Sequence, residues 1–278
     1  MSEEGRKYTV SILSEDIKKL SSKYSPSLIY ELKKSFPDES DETLARFLIA
    51  RNGDHLLARE LLRENIVWRR DNLPVLKETC LDEICRGKVY RYGTDKEGHP
   101  LAIFRPRLND PSTRDMGEMS RMIIWWASVI MAEMPPTLSK CTILVDRTDV
   151  KSPDVPFLRA FGSVFQNNYP ERVYRIIVYP GGLVFTALWQ VVQWLLDPVT
   201  RDKVRPVLTL AGVQEFIDDE YIPRNMGGEC DYEFDSADLP PDPPASLENG
   251  SPATVFSGVA AGSSESSNDT AQGAASTS

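Results

Sequence analysis

Cys141 and Arg147 stand at a Cys-x5-Arg spacing that chemistry can use. In tyrosine phosphatases such a spacing bends the backbone around a phosphate, whose oxygens take amide hydrogens. Here the intervening residues are Thr142-Ile143-Leu144-Val145-Asp146, with no glycine and several β-branched side chains. That composition favours an extended strand, and an extended backbone cannot encircle an anion. The two histidines, His55 and His99, fall at a helix start and in a turn, outside any Cys-His, Ser-His-Asp or metal-ligand spacing, and read as surface residues. Cys80, Cys85, Cys141 and Cys230 lack a Cys-x-x-Cys pair and read as reduced, structural thiols. The expectation is a protein that is not an enzyme, with no catalytic residues, no metal and no cofactor.

Two charged stretches suggest recognition instead. Asn168-Tyr169-Pro170-Glu171-Arg172-Val173-Tyr174-Arg175 links a helix to a strand, and Asp197-Pro198-Val199-Thr200-Arg201-Asp202-Lys203-Val204 follows an apolar segment. Alone, each reads as a solvated loop. Beside an apolar cavity they could hold a polar headgroup, with a carboxylate accepting from sugar hydroxyls and a lysine and threonine on a phosphate. The segment between them bears on that choice. Pro180-Gly181-Gly182 forms a joint, and after it only Gln190 and Gln193 interrupt a run rich in Leu, Val, Phe and Trp. A helix apolar nearly all round is either an internal helix between sheet and neighbour or a hinged lid over an apolar cavity.

The remaining pattern says what must position these groups. Residues 11–75 read as helices: Leu44, Phe47 and Leu48 recur at helical spacing, Asn52-Gly53 supplies a stop, and a second helix carries Leu57, Leu61 and Trp68. Strands and helices then alternate. Strands are expected at 89–92 and 101–105 around the turn 94–98, then at 142–146, 175–179 and 207–210, with helices at 115–134, 153–168 and 185–196. Alternation of this kind argues for an α/β domain with a mainly parallel sheet. Pro, Ser, Ala, Gly and Asp dominate from about 238 onward, which predicts a disordered acidic tail over 236–278. Domains are therefore expected at 1–75 (helical), 76–235 (α/β) and 236–278 (tail).

Charge and length exclude other classes. The 278 residues carry 41 Asp plus Glu against 32 Lys plus Arg, but nine of the acids follow Arg224, after which no basic residue occurs. The remainder is balanced, 32 against 32, and can approach an anionic membrane without large repulsion. No basic run interleaved with aromatics suggests nucleic acid. The longest mostly apolar run, 122–132, is too short to span a bilayer, and the first 20 residues hold no apolar signal core, so a cytoplasmic protein is expected.

Five motifs in order resemble the CRAL-TRIO family, most closely its fungal and plant phosphatidylinositol transfer proteins. They are Leu44-x-Arg46-Phe47-Leu48-x-Ala50-Arg51, Asp95-Lys96-Glu97-Gly98-x-Pro100, Tyr169-Pro170-Glu171-Arg172, Phe185-x-x-Leu188-Trp189, and Leu196-Asp197-Pro198-x-Thr200-x-x-Lys203-Val204. The likeness covers roughly 40–230 and ends at Ile222-Pro223-x-x-Met226-Gly227-Gly228. It implies a helical N-terminal region, then an α/β domain whose sheet floors a lipid pocket closed by a gating helix. It also implies that Glu171, Thr200 and Lys203 serve an inositol phosphate headgroup, supported by Arg46 and Arg51. A family arginine between those two is Ile49 here. The gate would comprise Gly181, Gly182, Phe185, Leu188, Trp189 and Val192.

The implied function is binding of phosphatidylinositol and its transfer between membranes, with transient membrane association and lipid kinases as partners. The alternative is a non-transferring sensor or scaffold for a lipid or small hydrophobe. Lys140 and Ala102 stand where phosphatidylcholine-binding relatives carry Ser and Tyr, which speaks against phosphatidylcholine as a second ligand. Trp125 or Trp126 offers an aromatic face for a quaternary ammonium.

Overall fold

The structure, a computed structural model, describes residues 13–150, 154–182, 185, 187, 189–190, 193–195 and 201–244. Among the described residues four helices come first: α1 (Glu15–Ser21), α2 (Pro26–Ser35), α3 (Asp41–Ile49) and α4 (His55–Asn72). Each of the last two starts where a side chain accepts from an amide that has no partner within the helix: Ser40 takes Thr43 N, and Asp54 takes Leu56 N and Leu57 N. The stop between them uses Asn52 and Gly53, both at positive φ, and Gly53 N donates back to Leu48 O. The helices enclose their own core, in which Ile17, Leu32, Leu44, Leu48 and Leu62 have no exposed surface.

A short helix α5 (Leu81–Cys85) leads into the α/β part. Strands β1 (Val89–Thr94) and β2 (Pro100–Phe104) form an antiparallel hairpin, and β3 (Cys141–Asp146), β4 (Val173–Tyr179) and β5 (Val204–Pro206) extend the sheet in parallel in the order β1-β2-β3-β4-β5. The crossovers β2–β3 and β3–β4 carry helices α6 (Met116–Ala132) and α7 (Val155–Asn168), capped by Asp115 and Asp154. Helix α8 (Leu210–Gln214) follows β5.

Alternation along the strands gives the sheet two distinct sides. Register aligns Ala102, Ile143, Ile176 and Val204 in one row, and Phe104, Val145, Val178 and Pro206 in a second on the same side. Between them lies a row of the opposite side, in which Ile103, Leu144 and Ile177 are fully buried. These belong to a core cluster that also holds Val213, Ile217, Ile222 and Met226.

Three expectations need correction. The last strand is Val204–Pro206, not 207–210, because Thr209 accepts from Gly212 N and starts α8 instead. Pro206 is tolerated because β5 is the sheet's edge. His99 is buried rather than superficial: its ring stacks on Tyr174 and its Nδ1 lies 3.2 Å from Asp95. Residues 236–244, expected to belong to a disordered tail, pack on the molecule. Leu239 contacts the main core, and Asp242 Oδ1 accepts from Lys77 N at 2.9 Å and Trp125 Nε1 at 2.7 Å. A carboxylate that pairs two otherwise unsatisfied donors outweighs the low apolar content of the segment. Residues 245–278 lie outside the described residues. No helix among the described residues is long and apolar enough to cross a membrane.

Candidate functional site

A cavity of about 270 Å³, compared with about 80 Å³ for a second one, lies on the Ala102–Ile143–Ile176–Val204 side of the sheet. Both sheet rows floor it, apart from Pro206. Helix α6 contributes Ile123, Trp126, Ala127 and Ile130, spaced along one helical face, and α7 contributes Phe157, Phe161 and Phe165. Phe185 and Trp189, the described gate aromatics, also line it; their rings stack at 5.6 Å, and Arg147 lies over Phe185. Asn109, Trp126, Cys141, Arg147 and Asp154 supply the polar groups of an otherwise apolar lining.

Charge collects at the N-terminal ends of the strands that floor the cavity, in side chains that do not themselves line it. Lys140 directly precedes Cys141, and Lys203 directly precedes Val204, both of which are lining residues at the N-terminal ends of β3 and β5. Glu171, two residues before β4, is buried at φ 57°, and its Oε2 accepts from Lys140 Nζ at 2.9 Å and Lys203 Nζ at 3.4 Å. Burial pushes the Glu171 carboxyl up, but the two ammonium groups outweigh burial and hold it below its ordinary range. The structure thus brings Glu171 and Lys203 together. Lys140 completes the cluster; at sequence level it stood out only as a departure from the family pattern.

Other expected residues scatter. Arg46 is buried and donates to Thr43 Oγ1, and it lines the smaller cavity with Arg69, Arg172 and Asn65, between the helical region and the α/β part. Burial and the nearby Arg172 drive its pKa well below the usual range for arginine. Arg51 donates to Ala50 O and lines neither cavity. Thr200, Leu188 and Val192 lie outside the described residues. Gly181 is held against the sheet: its N donates to Val207 O at 2.7 Å, and an added Cβ would meet Val207 N at 2.9 Å. Gly182 has open space around it, and neither glycine has positive φ. Of the adjacent tryptophans, Trp126 faces the cavity while Trp125 turns its indole to Asp242. Ala102 lies on the floor.

The Cys141–Arg147 pair forms no phosphate loop. Cys141 sits in β3, burial pushes its thiol up to about 12, and Arg147 N donates to Tyr179 O. Such a thiol stays protonated and is a poor nucleophile at neutral pH.

Comparison with known proteins gives a consistent family and fold. The CRAL/TRIO domain model matches residues 85–228, just over half the chain. A protein of Eremothecium gossypii named phosphatidylinositol transfer protein CSR1 is 28% identical over 222 residues, covering 73% of this chain and 50% of the relative. An Arabidopsis thaliana protein named phosphatidylinositol/phosphatidylcholine transfer protein SFH12 is 26% identical over 227 residues, covering 72% of this chain and 42% of the relative. The chain thus spans about half the length of the curated relatives it matches. The crystal structure of Sfh5 superposes with a TM-score of 0.57 at 14% identity, covering 90% of this chain and 96% of that one, and shares the fold.

Proposed function

The chain belongs to the CRAL/TRIO domain family, and on that premise we propose that it takes phosphatidylinositol into its apolar cavity and exchanges or presents it at membranes. The carrying observation is an apolar cavity floored by β3 and β5, together with the buried Lys140–Glu171–Lys203 cluster at the N-terminal ends of those same strands. An amphiphile is the ligand class that satisfies both. Its chains gain about 0.8 kcal/mol per CH2 removed from water, and its phosphodiester meets a cluster that carries one positive charge in excess. In this reading Lys203 and Lys140 face the phosphate and Glu171 accepts from inositol hydroxyls. Thr200 is assigned to the same headgroup by its motif.

Exchange requires the cover to move. Phe185 and Trp189 would leave the cavity mouth and enter the interfacial layer of a bilayer, so opening costs less on a membrane than in water. The protein would be cytoplasmic and peripherally membrane-associated, and lipid kinases are the proposed consumers of the presented lipid. The test is vesicle-to-vesicle transfer by the full chain, with mass spectrometry of lipid co-purified from cells. Co-purified phosphatidylinositol together with transfer supports the proposal. Bound phosphatidylinositol without transfer identifies a sensor, and neither binding nor transfer overturns the reading.

A further inference from the structure

Within the cavity one buried donor lacks a partner among the described residues. Trp126 is 4% exposed, lines the cavity, and its Nε1 has no hydrogen-bond partner among the described residues. Its neighbour Trp125, at the same depth of burial, has its indole N–H matched by Asp242. An unpaired buried N–H is costly, and native structures satisfy nearly all such groups. Its lining neighbours on α6, Ile123, Ala127 and Ile130, and the floor residues Ala102, Ile143 and Ile176 bring it no side-chain acceptor, and the one unpartnered side-chain acceptor of the lining among the described residues, Asn109 Oδ1, does not pair with it.

We propose that Trp126 Nε1 is a polar anchor inside the cavity, donating to a neutral carbonyl oxygen of the bound amphiphile and so selecting ester-linked lipids over ether-linked ones. The proposal rests on the lipid-binding reading above and deepens it. A neutral acceptor is indicated because the buried ammonium groups lie elsewhere, at the strand ends beside Cys141 and Val204, and a charged phosphate belongs with them. An indole in apolar surroundings is matched by a group that is itself cheap to desolvate. Ester carbonyls are the neutral acceptors that such an amphiphile carries between its headgroup and its chains. An ether oxygen is a poorer acceptor, and burying it there leaves the indole N–H poorly paired.

The test offers the full-length protein vesicles containing equal amounts of ester-linked and ether-linked phosphatidylinositol with matched chains, then measures the bound lipid by mass spectrometry. Wild type is expected to favour the ester form about tenfold, the scale of one hydrogen bond to a buried donor. Trp126→Phe should bring the ratio close to one. Because the shorter ring also changes packing, a second variant carries 3-benzothienylalanine at position 126, which keeps the indole outline and replaces N–H by sulfur; it should lose the preference equally. A wild-type ratio near one, or either variant keeping the wild-type ratio, overturns the anchor while leaving lipid binding intact. Uptake of neither lipid by wild type overturns the lipid-binding reading and the anchor with it.

Discussion

The two sides of the one sheet carry side chains of similar type and do opposite things. On one side Ile103, Leu144 and Ile177 are sealed in the core cluster with Val213, Ile217 and Ile222. On the other, Ala102, Ile143 and Ile176 floor a cavity. Adjacent residues of β3 therefore face different surroundings: Leu144 is sealed in the core and Ile143 lines the cavity. Apolar character is shared by both, so it is the presence or absence of packing partners across the gap that separates stability from binding.

The largest effect that would test this contrast is on stability. Leu144→Ala should lower the unfolding free energy by about 3 kcal/mol, since it opens a void in a filled core. Ile143→Ala should cost less than half of that, because its neighbours already border open space, while changing lipid uptake more. Denaturant titration of both variants, with bound lipid counted, decides it; equal destabilisation would erase the distinction between the two sides.

Next in size is the segment after residue 238. A chain ending at Asp238 loses Asp242 and leaves the Trp125 indole N–H and Lys77 N without this partner. The expected destabilisation is about 1–3 kcal/mol, read as a lower melting temperature, whereas composition alone would have anticipated none. Asp242→Asn should reproduce part of it. Unchanged melting of the shortened chain would show that the solid side of the molecule does not depend on this strap.

Smaller stability effects belong to the cavity side. Gly182→Ala adds a methyl group into open space and should alter melting little while slowing lipid exchange several-fold by restricting the joint. Gly181→Ala should instead destabilise, because its Cβ would press on the Val207 backbone. Equal exchange rates for wild type and Gly182→Ala would place the moving joint elsewhere.

The smallest effect is pH-dependent. The folded-state pKa of Glu171 lies below its ordinary 4.5, so its contribution to stability is present above that value and is lost as pH falls through the lower folded value. Glu171→Gln should therefore melt below wild type at pH 7, and the gap should close below about pH 4.5. Melting curves from pH 7 to 3 would show this. A gap that stays constant over that range would mean that Glu171 does not interact with Lys140 and Lys203 as a carboxylate.

Much of the architecture was legible because it repeats locally. The helix-strand alternation, the stop at Asn52-Gly53 and the strand through Cys141–Asp146 each follow from neighbours within a few residues. The Glu171–Lys203 contact was not legible, since 32 positions separate the two and charge alone does not choose partners; the family resemblance singled out both residues but not their pairing. Lys140 was harder still: a lysine opening an apolar strand acquires meaning only when Glu171, held at positive φ, reaches it. Arg46 shows the reverse case, a motif residue whose burial beside Arg172 depends on how the helical region docks.

What the amino-acid order determined by itself was periodicity: which residues alternate across a strand, which share a helix face, where caps and stops fall. Those are short-range consequences of backbone geometry. Folding in three dimensions settled which side of each element found a partner. Trp125 and Trp126 are chemically identical and adjacent, yet about 100° of helical rotation turns one toward Asp242 and the other toward the cavity. Asp242 lies 117 positions from Trp125, in a segment whose composition points away from structure. Contacts at such separation depend on the assembled sum of packing, and no local pattern encodes them.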